Sequence, residues 1–487
     1  MILSCQNLSK TFVDHPILKQ ASFQLEEHEK AAIVGVNGAG KTTLLKMIIG
    51  QLPADEGLIT FAKDKTFGYL AQQSDLSSSH TIYEELLSVK QDLVSMEQQL
   101  RDLEESMKHC EGTQLEEIMN RYTRMTHDFE VKGGLLYKSE LTGVLKGLSF
   151  LDEDFDKQIS TLSGGQKTRV SLAKLLLQSP DLIILDEPTN HLDIASISWL
   201  ETYLRSYKGA VLIVSHDRYF LDRIVTKVIA IENGLVRSYA GNYSDYAAKA
   251  AMLRKAAVNA YLKQQEEIHH QQQVIDKLKS FNREKSIKRA ESREKMLDKM
   301  ELLEKPVEIR DDMHLKLTPQ IISGNDVLSI EDLSKHFGSL TLFEHVDIEI
   351  KRGEHVAIIG DNGTGKTTLL KIINELESMD SGQIRLGSKV EIGYYDQEHH
   401  VLHSEKTLFD EISDDYPALT NTQIRNTLAA FLFTGDDVFK KISELSGGER
   451  GRVSLAKLML SNANFLILDE PTNHLDITSK EILEQAL

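Results

Sequence analysis

Three things are scarce in this 487-residue chain: cysteine, long apolar runs and positive charge. Its two cysteines, Cys5 and Cys110, are too few for a disulfide framework, and neither belongs to a metal-type cluster. No stretch approaches the ~18–20 uninterrupted apolar residues of a membrane span, and the first residues lack the pattern of a secretory signal. A net charge of −18 argues against a protein that coats nucleic acid uniformly. The cytoplasm is therefore the predicted location, and the length predicts about two to four domains.

Two glycine-rich loops stand out against this background. The segments 35–42 (GVNGAGKT) and 360–367 (GDNGTGKT) both fit the phosphate-loop pattern G-x-x-x-x-G-K-[ST]. Each follows an apolar run that is predicted to be a strand, at 31–34 and 356–359, and each opens a helical pattern. Glycines let the backbone fold around phosphate oxygens, so that N–H groups and a helix N-terminus face the anion. Two such loops predict two nucleotide sites.

Each loop offers a defined set of nucleotide ligands. The lysine is predicted to reach the outer phosphates, and the threonine after it to hold Mg²⁺. Phe12 and Phe337, each 29 residues before its lysine, are candidates to stack on adenine, with two core aromatics as the alternative. The loop residues expected to bind ATP are Gly35, Asn37, Gly38, Gly40, Lys41, Thr42, Thr43, Gly360, Asn362, Gly363, Gly365, Lys366, Thr367 and Thr368.

The two loops belong to one unit that the chain contains twice. Lys41 recurs as Lys366 at an offset of 325, whereas Asp186 recurs as Asp469 at an offset of 283, so the first copy carries 42 extra residues. We expect domains over 1–242 and 323–487, with a linker over 243–322. The extra segment, at about 81–143, has helical apolar spacing, which predicts a projecting helical arm or an enlarged helical subdomain.

An acidic pair follows a buried strand in each copy. The run 182–185 is continuously apolar, as in a parallel strand buried on both faces, and Asp186-Glu187 comes directly after it. Ligands of such sheets bind at the carboxyl ends of the strands. The aspartate is predicted to hold the water shell of Mg²⁺ and the glutamate to act as general base on the attacking water. Asp469-Glu470 repeats the pattern, and a surface turn is the alternative for an isolated pair.

Further polar residues fit the same chemistry. His216 follows the apolar run 211–214 and is predicted to contact the γ-phosphate, although alone it would be an ordinary surface histidine. Gln72 and Gln397 are predicted to reach Mg²⁺ or the attacking water. The dipeptide at 233–234 (Asn-Gly) predicts a hairpin turn.

A second anion-binding helix start occurs in each copy. One is Ser163-Gly164-Gly165, and its repeat is Ser446-Gly447-Gly448. One domain hardly needs two such sites, so we predict that each serves the nucleotide of the other copy. Two ATP molecules would then be held between the halves of a single, monomeric chain.

The segment between the copies differs from them in charge. Residues 243–305 contain no glycine or proline and are predicted to be helical, and residues 249–305 carry 14 basic and 9 acidic side chains. The apolar pattern loosens at 280–286, where two antiparallel helices would meet. A basic tip there can attract a phosphate backbone, with a solvated helical spacer as the alternative. The basic tip consists of Lys277, Lys279, Arg283, Lys285, Lys288 and Arg289.

Taken in order, the phosphate loop, Gln, Leu-Ser-Gly-Gly-Gln, Leu-Asp-Glu and Ser-His-Asp resemble the motifs of ATP-binding cassette ATPases. Two cassettes in one chain, each with Glu-Pro-Thr-Asn-His-Leu-Asp (187–193 and 470–476), resemble the ABC-F subgroup. The resemblance implies an α/β fold with two P-loop ABC-type nucleotide-binding domains in tandem, joined by an α-helical hairpin linker. It also implies ATP hydrolysis by a translation factor or an antibiotic-resistance protein that protects ribosomes.

The resemblance also implies a partner, the ribosome. Members of the family bind the ribosomal E site with ATP, and their linker reaches toward P-site tRNA and the peptidyl-transferase centre. By that analogy Arg283, Lys285, Lys288 and Arg289 would contact tRNA or large-subunit rRNA, mainly through phosphates, and the arm would touch ribosomal RNA or protein. Two other functions stay open: the ATPase subunit of a membrane transporter, which the fused cassettes and basic linker disfavour, and a DNA-associated ATPase.

The second copy departs from the pattern near its end, because a second switch histidine would fall near position 499, beyond Leu487. We therefore expect the natural chain to continue. In the chain as written, one sandwich site is expected to be complete and the other incomplete. The complete site combines Lys41, Gln72, Glu187 and His216 with Ser446 and Gly448; the incomplete one combines Lys366, Gln397 and Glu470 with Ser163 and Gly165.

Overall fold

Both copies combine β-strands with α-helices. The structure is a computed structural model, and it describes residues 1–12, 15–70, 79–190, 192–280, 284–300, 303, 321–338, 340–395, 402–431, 433, 435–445, 447–472, 477, 480 and 483–484, leaving aside the side chains of 15, 284–286 and 430. The chain divides into two units, one made of Met1–Tyr239 and His314–Leu487 and the other of Ala240–Met313.

The first copy is a mixed α/β domain. Its strands are β1 (Leu3–Phe12), β2 (His15–Leu25), β3 (Lys30–Val34), β4 (Glu56–Phe61), β5 (Phe67–Leu70), β6 (Leu182–Asp186), β7 (Ala210–Val214), β8 (Lys227–Glu232) and β9 (Leu235–Ala240). Its helices are α1 (Lys41–Ile48), α2 (Ile82–Leu87), α3 (Gln91–Met107), α4 (Thr113–Val131), α5 (Tyr137–Gly147), α6 (Gly164–Gln178), α7 (Ile194–Ser206) and α8 (Arg218–Ile224).

A six-stranded sheet with the order β5-β6-β7-β3-β8-β9 forms the centre of this domain. Strands β3, β6 and β7 are buried at every residue, which explains why they are apolar except for Lys30 at the start of β3 and Asp186 at the end of β6. They are parallel, with Ala32 opposite Ile213 and Asp186 opposite Val214. Their carboxyl ends therefore meet at one edge, where they lead into the phosphate loop, the Asp-Glu pair and the histidine.

A second, antiparallel sheet of order β2-β1-β4 packs beside the first. The two sheets and α1 share one apolar core, which includes Leu3, Leu25, Ile33 and Leu45. Between β8 and β9, Asn233 and Gly234 both have positive φ angles, +53° and +80°, as a tight hairpin turn requires. The hairpin predicted at this dipeptide is therefore present.

The extra segment of the first copy contains the helices α3 and α4. The chain turns between them at Gly112, where φ is +68°. Leu93, Leu100, Phe129 and Tyr137 form a small core of their own at the base of this helical pair. A separate core of this kind lets the pair pack without extending the central sheet.

Helix α5 packs closely against α7 at one glycine. A Cβ atom on Gly147 would lie 2.1–2.4 Å from the indole ring of Trp199, whereas one on Gly143 of the same helix would meet nothing within 4 Å. We expect Gly147→Ala to lower the free energy of unfolding by about 1–3 kcal/mol, because the overpacked ring must move. The matched variant Gly143→Ala is expected to raise it by about 0.5–1 kcal/mol through helix propensity. Urea denaturation measures both, and equal effects would contradict this account of the contact.

The second unit consists of α9 (Tyr243–Ser280) and α10 (Glu284–Asp298). Ile275 and Ala290 are fully buried between these helices. Arg293 donates to the Oε1 atom of the buried Gln271, and Lys279 forms an ion pair with Glu294 at 2.5 Å. An apolar seam with specific polar contacts fixes the register of the two helices.

The second copy repeats part of the first domain. Its elements are β10 (Asp326–Phe337), β11 (Leu340–Lys351), α11 (Lys366–Ile373), β12 (Ser381–Leu386), β13 (Ile392–Tyr395), α12 (Leu408–Asp415), α13 (Asn421–Ala430), α14 (Gly447–Leu460) and β14 (Phe465–Leu468). Strands β11-β10-β12 form one sheet, and β13 pairs with β14 in parallel. Among the described residues, none of the helices combines the length and apolar composition that a bilayer span requires.

The prediction of a strand at 356–359 is wrong. These residues form no strand, and Val356 and Ile359 are 56% and 75% exposed. The equivalent strand of the first copy, β3, is held between β7 and β8. Strands corresponding to β7 and β8 do not occur among the described residues of the second copy, so this apolar run has no neighbours with which to pair.

Candidate functional site

The first phosphate loop has the close backbone approaches that require glycine. Gly40 precedes α1 in the left-handed conformation, with φ +95° and ψ +18°. A Cβ there would lie 2.5 Å from the side chain of Ile17, and one on Gly35 would lie 2.7 Å from a carbonyl oxygen of β8. Lys41 is buried and folds back over the loop, where its Nζ donates to the carbonyls of Gly35 (2.8 Å) and Val36 (3.1 Å). The ammonium group thus lies over the concave face of the loop.

The second loop has the same geometry although the described residues directly before it, 352–359, form no strand. Gly365 has φ +94° and ψ +13°, and the Nζ of Lys366 donates to the carbonyls of Gly360 (2.7 Å) and Asp361 (2.6 Å). The remaining predicted glycines, Gly38 and Gly363, also have positive φ angles, +81° and +87°. The loop conformation therefore depends on its own sequence and on the helix behind it. Asn37, Thr43, Asn362 and Thr368 occupy the corresponding positions of the loops and of the helix starts.

Thr42 and Asp186 form a polar pair behind the first loop. The hydroxyl of Thr42 hydrogen-bonds to the carboxylate of Asp186, which is buried. Burial raises the pKa of Asp186 to about 6, while Lys41 and the Thr42 bond act in the opposite direction. Its Oδ2 atom accepts no hydrogen bond from the described residues. A buried carboxylate oxygen beside a hydroxyl fits the hard oxygen ligand set of Mg²⁺. In the second copy Thr367 donates to Asp469 at 3.2 Å.

Glu187 and His216 meet at the edge of the sheet next to this pair. The backbone N–H of His216 donates to Oε2 of Glu187 at 3.2 Å, and its Nε2 lies 3.5 Å from Oε1. Burial raises the pKa of Glu187 to about 7; the hydrogen bond from His216 lowers it and the negative charge of Asp186 raises it further. A carboxylate with a raised pKa next to an aspartate that fits the ligand set of Mg²⁺ suits a general base.

The backbone at Glu187 is unusual for a side chain of this size. Its φ angle is +51°, and the equivalent residue Glu470 has φ +45°. The N–H of Glu187 donates to the carbonyl of Val214 on β7 at 2.8 Å, which holds this conformation. Left-handed backbone in a residue other than glycine is a strained state that occurs preferentially at functional sites.

The Ser-Gly-Gly motif caps α6. The Ser163 hydroxyl accepts from the N–H of Gln166 (3.3 Å), and Gln166 accepts from the N–H of Ser163 (3.0 Å), which completes a capping box. Gly164 and Gly165 form the first turn, and a Cβ on Gly164 would meet nothing within 4 Å. In the second copy Gly447 and Gly448 begin α14.

Phe12 and Phe337 lie at the ends of β1 and β10, 44% and 50% exposed. This exposure excludes the interpretation as core aromatics. Lys10 lies over the first ring at 5.7 Å and Lys335 over the second at 4.9 Å. Both rings present surface on which a base can stack.

Some predicted residues lie outside the described part of the chain, namely Gln72, Gln397, Ser446 and Arg283, together with the side chain of Lys285. Sequence reasoning also missed two buried carboxylates, Glu85 and Glu411, each of which forms an ion pair with a lysine of α6 or α14. Lys174 and Lys457 are separated by the repeat offset of 283, and Glu85 and Glu411 each lie four residues after the N-cap threonine of their helix, so a residue-by-residue comparison of the copies could have found them.

The comparisons with known proteins agree with this geometry. Family models described as "ABC transporter" match residues 18–190 and 343–473, and a related model, also described as "ABC transporter", matches residues 229–317. The ATP-binding protein YdiF of Bacillus subtilis is 49% identical over 490 residues, covering 100% of this chain and 76% of YdiF. "ABC transporter F family member 5" of Arabidopsis thaliana is 35% identical over 503 residues, covering 99% of this chain and 70% of that protein. The chain belongs to the ABC-F ATPases.

The tandem ABC fold and the ATPase activity inferred from the motifs are thereby confirmed. Another relative, the "Energy-dependent translational throttle protein EttA" of Escherichia coli, is 32% identical over 476 residues, covering 97% of this chain and 84% of EttA. ABC ATPases bind ATP with Mg²⁺ and hydrolyse it. The two phosphate loops and the two Thr-Asp pairs are the parts of this chain that fit those ligands.

Proposed function

We propose that this ABC-F ATPase binds the ribosome in an ATP-bound, closed state and leaves it after hydrolysis. The linker would then lie near P-site tRNA, and the protein would act in the cytoplasm as a translation factor or a ribosome-protecting resistance protein. Support comes from the relative named as a translational throttle. The observation that carries the proposal is the basic tip between α9 and α10 on a chain whose net charge is −18.

The closed state would hold two ATP molecules, each with Mg²⁺, between the two copies of one chain. A contact between the two copies, next to the sheet edge where Glu187 and His216 lie, supports this arrangement. Arg218, two residues after His216, forms an ion pair with Glu484 of the second copy at 2.7 Å. The positive charge of Lys480, also in the second copy, acts on the carboxylate of Glu187.

Within each site we assign the chemistry as follows. The phosphate-loop lysine would bind the outer phosphates, and the Thr-Asp pair and the glutamine would hold Mg²⁺. The glutamate would accept a proton from the attacking water, and His216 would contact the γ-phosphate. The Ser-Gly-Gly motif of the opposite copy would close the site through its backbone N–H groups, and Phe12 or Phe337 would stack on adenine.

The basic tip would contact RNA through phosphate groups. Lys277, Lys279, Lys288 and Arg289 are all exposed. They flank the end of α9 and the start of α10, so their charges lie together where the helices meet. Because phosphate contacts carry no sequence information, binding would depend on charge and on salt concentration.

The first test is co-sedimentation with ribosomes. The double variant Glu187→Gln/Glu470→Gln, in which hydrolysis is blocked, is expected to pellet with ribosomes only when ATP is present. Replacing Lys277, Lys279, Lys288 and Arg289 by alanine in that background is expected to weaken binding at least ~10-fold, since four phosphate contacts are lost. The measurement is the fraction pelleted against ribosome concentration at two salt concentrations.

A matched control removes four positive charges from α9 and from the residue after α10, away from the basic tip. Its substitutions are Arg254→Ala, Lys255→Ala, Lys263→Ala and Lys299→Ala, and we expect less than ~3-fold weakening because electrostatic contacts are short-ranged at physiological salt. Absence of ATP-dependent pelleting would end the ribosome proposal. If both sets of substitutions weaken ribosome binding equally, the basic tip is not the contact site, although ribosome binding itself is still supported.

A further inference from the structure

A lysine and an aspartate lie next to each of the two exposed phenylalanines. In the first copy, Lys10 is two residues before Phe12 on β1, and Asp55 directly precedes the neighbouring strand β4. Lys10 is 8% exposed, and its Nζ donates to Oδ1 of Asp55 at 2.6 Å. A buried ammonium group needs a partner of opposite charge. Among the described residues, the carboxylate of Asp55 is that partner.

The same carboxylate also binds the backbone beside the ring. Oδ2 of Asp55 accepts from the N–H of Thr11 at 2.8 Å, and the N–H of Asp55 donates to the carbonyl of Ser9 at 3.0 Å. The hydrogen bonds from Lys10 and from the N–H of Thr11 hold the pKa of Asp55 below its usual range. Asp55 therefore contacts both residues that directly precede Phe12, and we call Lys10 and Asp55 the first clamp.

The second copy repeats this arrangement. Lys335 is 4% exposed and lies two residues before Phe337, and Asp380 directly precedes β12. Oδ2 of Asp380 accepts from the N–H of His336 at 2.6 Å, and Oδ1 lies 3.9 Å from Nζ of Lys335. The N–H of Asp380 donates to the carbonyl of Ser334 at 3.1 Å. Each of these residues is 325 positions after its counterpart, and we call Lys335 and Asp380 the second clamp.

Two further carboxylates take part in the second clamp. Nζ of Lys335 donates to Oε1 of Glu377 at 3.1 Å. The ring of His336 contacts two acidic side chains, because Nδ1 lies 3.1 Å from Oδ2 of Asp380 and Nε2 lies 3.1 Å from Oε1 of Glu344 on β11. These contacts are additions of the second copy. The lysine, the aspartate and the backbone contacts are what the two copies share.

Each clamp places a positive charge over one face of a phenylalanine ring. Nζ of Lys10 is 5.7 Å from the centroid of Phe12, and Nζ of Lys335 is 4.9 Å from that of Phe337. Both distances are within the ~6 Å range of cation–π contacts. Because the lysine covers one face of the ring, a base can stack only on the other face.

We propose that the lysine and the aspartate of each clamp are positioning residues that hold the phenylalanine ring in the orientation that accepts adenine. This inference rests on the proposed stacking of adenine on Phe12 and Phe337, and it concerns the base and not the phosphates. Without the clamp, the ring would have to be ordered when the base binds, which costs binding free energy. Clamp variants therefore lose affinity for ATP and keep their affinity for a ligand that has phosphates but no base.

The test is calorimetry in the hydrolysis-blocked Glu187→Gln/Glu470→Gln background, with Mg²⁺ and either ATP or inorganic tripolyphosphate. Asp55→Asn and Lys10→Met each keep the size of the side chain and remove its charge. Each is expected to weaken ATP binding at one of the two sites about 5-fold. Asp380→Asn is expected to do the same at the other site. Tripolyphosphate is expected to bind within ~2-fold of the parent, because it makes no contact with the ring.

Asp181→Asn is the matched control, because Asp181 has the same kind of contacts at the amino end of β6, away from the phosphate loop. It accepts from Nζ of Lys65 at 3.1 Å and from the backbone N–H of Thr66 at 3.0 Å. The control is expected to lower the melting temperature about as much as Asp55→Asn. Its ATP affinity is expected to stay within ~2-fold of the parent, as for a site with no shared partners.

The proposal fails if Asp55→Asn or Lys10→Met leaves ATP affinity unchanged, if tripolyphosphate binding weakens as much as ATP binding, or if the control loses as much ATP affinity. Phe12→Ala reports separately on the stacking, because the stacking itself is wrong if that variant binds ATP like the parent. If Phe12→Ala weakens ATP binding and Asp55→Asn does not, only the clamp is wrong. Co-sedimentation reports separately on the ribosome.

Discussion

The double variant Glu187→Gln/Glu470→Gln is expected to hydrolyse ATP at least ~100-fold more slowly than the unchanged chain, as loss of a general base requires. Glutamine has the same shape but cannot accept a proton from water. The hydrogen bond from the backbone N–H of His216 holds the Glu187 carboxylate at the edge of the sheet, next to the buried Asp186. ATP binding is expected to persist, because neither glutamate is a phosphate ligand in the proposed site.

The single variants separate the two sites. Glu187→Gln is expected to lower kcat strongly by itself, because Glu187 has the His216 contact and the raised pKa that suit a general base. Phosphate release measures kcat, and a fluorescent ATP analogue measures binding in parallel. A double variant that keeps a tenth or more of the original kcat would exclude both carboxylates as general bases.

Lys41→Ala is expected to abolish tight ATP binding at one site and leave it at the other. The ammonium group of Lys41 now bonds to two carbonyls of its own loop, and with ATP it would turn to the outer phosphates. Loss of a charged hydrogen bond of about 1.5–3 kcal/mol weakens affinity about 10–150-fold. In the hydrolysis-blocked background, calorimetry with Mg²⁺ and ATP should then count one tightly bound nucleotide per chain where the parent binds two.

Lys63→Ala is the control for that experiment, since Lys63 is an exposed lysine of the same copy outside the site. It should leave two nucleotides bound with unchanged affinity. Lys366→Ala should mirror Lys41→Ala if both loops bind ATP. If Lys41→Ala still binds two nucleotides with the parent's affinity, the lysine is not a phosphate ligand.

Most of the candidate site at the carboxyl ends of the parallel strands could be predicted from local sequence. The phosphate loops follow from glycine positions and a helix start, and they keep their geometry even where the preceding strand is absent. The strands β6 and β7 follow from continuous apolar runs, which predict burial on both faces. The Asp-Glu pair and His216 then come together because parallel strands end at one edge.

Other features depend on tertiary contacts that a pattern does not contain. The run at 356–359 is as apolar as its counterpart in β3, yet a strand needs neighbours on its hydrogen-bonding edges. Whether Phe12 was a core residue or a stacking surface depended on its exposure. The ion pair of Glu85 with Lys174 depends on the approach of α2 to α6, because the two residues are 89 apart in sequence.

The left-handed backbone at Glu187 lowers the stability of the folded chain but places a carboxylate at the end of β6. A glycine adopts φ +51° without the strain that other residues have in this conformation. Replacing Glu187 by glycine would therefore relieve backbone strain in the folded chain. The carboxylate is nevertheless placed at that turn, which aims it beyond the end of β6. Stabilising substitutions chosen for thermal resistance alone would therefore tend to remove the carboxylate that we propose as the general base.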